Sequence, residues 1–179
     1  MHYQMVIDFW FNELTPADWW GKSDELDNTI NARFGHIHTA ATALELYAWR
    51  AEPYGRLAEI IVLDQFSRNI FRNQAQAFAY DGIALALAQE AVNLQVDQHL
   101  KNAEKSFLYM PYMHSESLLV HDQAIILFSQ PGLENNLDFE HKHRDIIARF
   151  QRYPHRNQPL GRESTEEEKV FLLTNNSSF

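Results

Sequence analysis

Apolar residues along this chain recur every three or four positions, and β-branched residues seldom alternate with polar ones. That period belongs to helices, and strands are not expected. Tyr3 to Phe11 reads as a short apolar segment stopped near Asn12, and Pro16 opens a second short turn. Asp24 is placed to cap a helix whose inner stripe is Leu26, Ile30, Phe34 and Ile37. Pro53 suits the first turn of the next helix, which carries Leu57, Ile60, Ile61 and Leu63. Asp81 can cap the Ala/Leu-rich run Ile83 to Val92, and Lys101 to Met110 forms another helix, disturbed at Pro111. Ser115 can cap Leu118 to Phe128, which Pro131-Gly132 ends. A long helix from Leu133 to Tyr153 stops at Pro154, and Ser164-Thr165 ahead of Glu167-Glu168 is a capping-box signature for a last short helix. The expectation is an all-α single domain over residues 1–174, built of consecutive antiparallel helix pairs, with a polar tail over 175–179 where Phe179 can dock.

The same patterning singles out charged positions. At ~100° per residue, Asp64 and Arg68 fall on the stripe of Leu57, Ile60 and Ile61. They are i,i+4 partners on a helix expected to be central, so they should be buried and paired. With Asn69 and Arg72 they form either an internal salt bridge or the wall of a polar pocket. On the later helix, Phe139, Ile146, Ile147, Phe150 and Tyr153 define a buried arc into which His143 projects. Asp145 and Arg149 make an ordinary surface pair. Aromatics at Phe9, Trp10, Phe11, Trp19 and Trp20 read as packing anchors.

From His143 to Thr165 the density of basic residues is unusual. Arg144, Arg149, Arg152 and Arg156, and then a fifth at Arg162, precede the final helix. The turn Tyr153-Pro154-His155-Arg156-Asn157 places strong donors on a rigid stop. They either pin the loop or hold an anion, the protein's own carboxylates or a ligand's. His114-Ser115-Glu116 marks a helix start, where His114 with Glu116 or Asp64 is a candidate acid/base couple. Ser117 and His121 bring a hydroxyl near an imidazole without an orienting acid.

Composition narrows the chemistry. The 179 residues contain no cysteine, which excludes disulfides, thiolate nucleophiles and Cys-based metal sites. This is compatible with a reducing compartment, and a cytoplasmic protein is expected. A net charge of −9 disfavours nucleic-acid partners, and no apolar run reaches the ~20 residues that span a bilayer. No metal or cofactor is expected. His36 and His38 point ~200° apart on a helix, Glu140-x-x-His143 lacks a second copy, and the six glycines form no phosphate loop.

Four segments carry a family resemblance: DFWF at Asp8 to Phe11, LDQFSRNIFR at Leu63 to Arg72, FLYMPYMHSE at Phe107 to Glu116, and HRDIIARFQRYPHRNQPLGREST at His143 to Thr165. Through them the chain resembles the bacterial domain-of-unknown-function 924 family over nearly its whole length. The resemblance implies a tetratricopeptide-like, right-handed array of antiparallel helix pairs, and implies no activity. Asp64, Arg68, Asn69, Arg72, His114, Glu116, Arg144, Asp145, Arg152, His155, Arg156 and Asn157 coincide with the family's motif positions. Ser67, His121 and Gln151 depart from it, standing where Pro, Gln and Gly are more common.

The sequence thus supports three readings. The leading one is a binding module that gathers Asp64, Arg68, Asn69, Arg72, Arg144, Arg152, Arg156 and Asn157 around a polar concavity for a small anion or acidic peptide end. The second is a hydrolase with His114 or His155 as base and Glu116 or Asp64 as orienting carboxylate. The third is a structural or protein-interaction protein whose charged cluster is an internal salt-bridge network.

Overall fold

Every regular element among the described residues, 1–174 and Ser177, is helical. The structure is a computed structural model. In chain order the helices are α1 (Gln4–Asp8), α2 (Pro16–Trp20), α3 (Asp24–Thr42), α4 (Pro53–Ile61), α5 (Ser67–Ile70), α6 (Asp81–Asn93), α7 (Asn102–Met113), α8 (Leu118–Phe128), α9 (Glu134–Phe150) and α10 (Glu166–Leu172). Two π-helical turns, Phe9–Glu13 and Val62–Phe66, extend α1 and join α4 to α5. The expected tail at 175–179 lies outside the described residues except for Ser177, whose hydroxyl donates to the Leu172 carbonyl at 3.1 Å.

The chain divides into two compact units, one of residues 1–72 and 76–111, the other of 73–75 and the chain from Tyr112 on. In the first, the run from α4 through the π turn to α5 is central, with Leu57, Ile60, Ile61, Val62, Leu63 and Phe66 shielded from solvent. Phe66 meets Phe9, Trp10 and Phe34 at ring distances of 5.1–6.2 Å, so α1 and α3 pack on this axis. Gly55 lets the 3₁₀ turn at Tyr47–Ala51 lie against α4, because a Cβ there would overlap the Trp49 carbonyl. Trp10 is buried as expected, whereas Trp20 is 60% exposed and stacks on Phe107.

In the second unit α8 packs on α9, and Ile146, Ile147 and Tyr153 form a core with Phe150 and Phe171 against it. Phe139, expected on the buried arc, is 48% exposed, although His143 and Ile146 further along the same side of α9 are buried. The last helix begins with the expected capping box: Thr165 Oγ1 accepts from the Glu168 N–H at 3.2 Å, and Glu168 accepts from the Thr165 N–H at 2.7 Å.

Other boundaries differ from the sequence reading for local reasons. Ser23, not Asp24, caps α3, accepting from the Leu26 N–H at 3.2 Å. Tyr80 precedes α6 at the cap position, with Asp81 already in its first turn. Pro111 lies inside α7, which continues to Met113 because Met110, Tyr112 and Met113 are all buried and offset one lost backbone bond. Ser117 rather than Ser115 occupies the cap of α8, and Ser115 Oγ accepts from the Ser117 N–H at 3.2 Å. The helix expected to reach Tyr153 ends at Phe150, where Gln151 turns left-handed at φ 58°.

Candidate functional site

The expected ligand set divides between the units, and each part has carboxylate partners of its own. In the first unit Arg68 donates to the Asp64 carbonyl at 2.8 Å and bridges its carboxylate at 3.2 Å. The same guanidinium grips Asp81 at 3.0 Å through both terminal nitrogens. Asp64, buried, also accepts from Gln65 at 2.5 Å. Arg72 holds Asp27 with two bonds of 2.5 and 2.7 Å, and Asn69 donates to the same carboxylate at 2.8 Å. Asp27 and Asp81 lie in the first turns of α3 and α6, so these bonds tie α5 and the residues just after it to two neighbouring helices, where a carboxylate also suits the helix dipole.

The second unit repeats the arrangement at the basic segment. Arg162 closes on Glu116 at 2.8 and 3.0 Å, and also donates to the Asn157 side-chain oxygen at 2.9 Å and the Tyr153 carbonyl at 3.1 Å. Glu116 further accepts from the Tyr153 N–H at 2.8 Å. Burial works to raise its pKa, but the bonds from Arg162 and Tyr153 and the charges of Arg162 and Arg156 outweigh it and hold the carboxyl below its ordinary range. Arg152 grips buried Glu168 at 2.6 and 2.8 Å. That bond is the main cause that holds Glu168 down to about 2. Asn157 donates to Ser164 at 3.0 Å, and buried Arg156 lies over the Tyr153 ring at 4.5 Å. Arg144 pairs with Asp122 on α8, and Arg149 with Glu167 on α10 rather than with Asp145.

Each histidine near the clusters has its own surroundings. Both Glu116 oxygens, the carboxylate of the expected His114–Glu116 couple, accept from Arg162. His121 turns from Ser117 to Glu140, with Nδ1 2.6 Å from Oε1. His143 donates from Nδ1 to the Phe139 carbonyl at 2.7 Å, and burial pushes its pKa down to about 3. It is a neutral core histidine, as expected. His155 sits 5.5 Å from the Tyr153 ring, and it and His114 both act on His143 by like charge. In the first unit His38 Nε2 lies 2.8 Å from Ser67 Oγ, but that hydroxyl spends its hydrogen on the Leu63 carbonyl at 2.7 Å. The pair therefore offers no activated nucleophile. Among the described residues no three His, Asp or Glu side chains gather to hold a metal, and no helix is long and apolar enough to cross a membrane. An open cleft of about 280 Å³ lies between α9 and α10, lined by Lys142, Asp145, Ile146, Arg149, Phe150 and Phe171.

These geometries place Leu63 to Arg72, Glu116 and the segment from His143 to Thr165 at the ion-pair clusters. Residues 6–176 match the bacterial protein family of unknown function DUF924. The chain belongs to DUF924. A solved protein of unknown function from Agrobacterium tumefaciens is similar to it at 36% identity, covering 96% of each chain with a TM-score of 0.91. No curated protein matches the chain.

Two departures from the DUF924 pattern now have structural contexts. Gln151 sits at a left-handed position that glycine adopts without steric cost. Ser67 makes the His38 contact that a proline there would remove. The sequence reading missed Asp27, Asp81, Glu168 and, as a site member, Arg162. Glu168 carried a signal, its capping-box position, whereas Asp81 read only as a helix cap and Asp27 carried no signal of its own.

Proposed function

We propose that this DUF924 protein is a non-catalytic interaction protein whose arginine–carboxylate clusters are its internal frame. The observation that carries this reading is the Arg162 network, in which an arginine of the basic segment is spent on the protein's own Glu116, Asn157 and Tyr153. Arg68, Arg72, Arg144 and Arg152 repeat it with Asp64 and Asp81, Asp27, Asp122 and Glu168. A cation already matched by a bidentate carboxylate has little left to offer an incoming anion. The packing of α8 on α9 across residues 129–133 supports the helix-pair arrangement of the tetratricopeptide-like class.

Anion binding has one supporting feature, at a different place. The cleft between α9 and α10 combines an apolar floor at Phe150 and Phe171 with Lys142 and Arg149 at its edge. Titration of inorganic phosphate and of a peptide ending in a free aspartate, followed by amide chemical shifts, tests both readings. The frame reading expects no saturable shift at Arg152, Asn157 or Arg162. Saturable shifts there that vanish in Arg162→Ala would replace it with the ligand reading. Saturable shifts confined to Lys142 and Arg149 would assign anion binding to the cleft.

A further inference from the structure

His121 on α8 and Glu140 on α9 are both 0% exposed, an unusual place for two titratable groups. Their hydrogens can be assigned from the partners alone. His121 Nε2 lies 2.8 Å from the Ser115 carbonyl, which can only accept, so Nε2 keeps its hydrogen. The Tyr153 hydroxyl gives its own hydrogen to the Met113 carbonyl at 2.5 Å and turns a lone pair to Nε2 at 3.3 Å. Only the 2.6 Å line from Nδ1 to Oε1 remains variable.

That line has room for one proton. Two would collide, and none would set an imidazole lone pair against a buried carboxylate. With the proton on Nδ1 the pair is imidazolium and carboxylate; with it on Oε1 the pair is neutral imidazole and carboxylic acid. Either way the pair carries no net charge. Glu140 Oε2 meets no donor among the described residues, which favours the acid form. Burial raises the Glu140 pKa against the pull of His121, His141 and Arg144. The groups around the pair are the Met113 and Ser115 carbonyls before α8, the Tyr153 hydroxyl after α9, and His141 and Arg144 on α9 itself, with Asp122 of α8 neutralising Arg144. His143 packs against Tyr153 at 5.8 Å, with His114 and His155 acting on it.

We infer that His121 and Glu140 hold a single shared proton and form a pH-sensitive latch between α8 and α9, which stabilises the fold less as base deprotonates the separated groups of the unfolded chain. Separated in the unfolded chain, the two side chains hold together two protons below about pH 4.3, one up to about pH 6.5 and none above. The folded pair holds one throughout. Above pH 6.5 the folded state therefore binds more protons than the unfolded state, and stability falls as pH rises. Below pH 4.3 the unfolded state binds more, and stability falls as pH drops.

The decisive comparison is wild type against Glu140→Gln. The Gln amide donates to Nδ1 as the carboxylic acid does, but its hydrogen cannot be titrated away. From urea unfolding at pH 5.5–9, the wild-type unfolding constant should rise relative to that of Glu140→Gln by up to about tenfold per pH unit above 6.5. A ratio independent of pH would overturn the latch. Should Glu140→Gln not fold, ring ¹⁵N shifts of wild-type His121 decide alone. Shifts constant from pH 5 to 8 support the shared proton, and an ordinary imidazole titration near pH 6.5 contradicts it.

Discussion

Arg162 and Glu116 form a two-bond ion pair across 46 residues of sequence, at 2.8 and 3.0 Å. The same guanidinium ties down Asn157 and the Tyr153 carbonyl, so one side chain closes the loop after α9 onto the segment before α8. This relation decides how the basic segment is read, since its positive charge answers the protein's own acid.

Arg68→Met should lower stability by about 3 kcal/mol, since it leaves the Asp64 carboxylate buried without its cation. Asp81, closer to solvent, contributes less to that loss. Urea denaturation of the variant beside wild type measures it. A loss below about 0.5 kcal/mol would show that Gln65 suffices to hold Asp64.

Two ion pairs on α10 should respond differently to salt. Arg152–Glu168 places a carboxylate 3% exposed against a bidentate partner, whereas Arg149–Glu167 is 53% and 62% exposed. Double-mutant cycles should give about 1–2 kcal/mol for the first, little changed by salt, and under about 1 kcal/mol for the second, screened towards zero.

Acid should act through His143 and Glu168. Burial holds the folded pKa of His143 at about 3, against about 6.5 unfolded. The folded state then binds fewer protons than the unfolded one, so the contribution is full above pH 6.5 and is lost as pH falls towards 3. Glu168, held down to about 2, adds a loss between about pH 4.5 and 2. His143→Leu should remove the upper part of the acid slope and leave the lower part, as read from urea midpoints at pH 3–7.

Gln151→Gly should raise stability by about 0.5–1 kcal/mol, because the left-handed φ of 58° penalises a Cβ there. Thermal denaturation checks the sign. A fall would mean that the Gln151 side chain contributes more than its backbone costs.

Much of the fold was legible because its signals are local. Pro53 at the start of α4, the Thr165–Glu168 capping box and the i,i+4 Asp64–Arg68 pair each need only one turn of chain. What escaped was long-range. Asp27 lies 45 residues from Arg72, and Glu140 lies 19 from His121. Arg149 chose Glu167 over the sequence neighbour Asp145, because α10 brings that carboxylate within 2.8 Å. Phe139 misleads for the same reason: periodicity marks an apolar face but does not say what covers it.

The sign of the stability change in Arg162→Ala tests the frame most directly. Residues held ready for a ligand commonly cost stability, and removing them raises it, whereas frame residues do the reverse. With no added anion, urea denaturation should show Arg162→Ala and Glu116→Ala each less stable than wild type by about 1–3 kcal/mol, with the double variant less than additive. An Arg162→Ala protein as stable as wild type, or more so, would contradict the account.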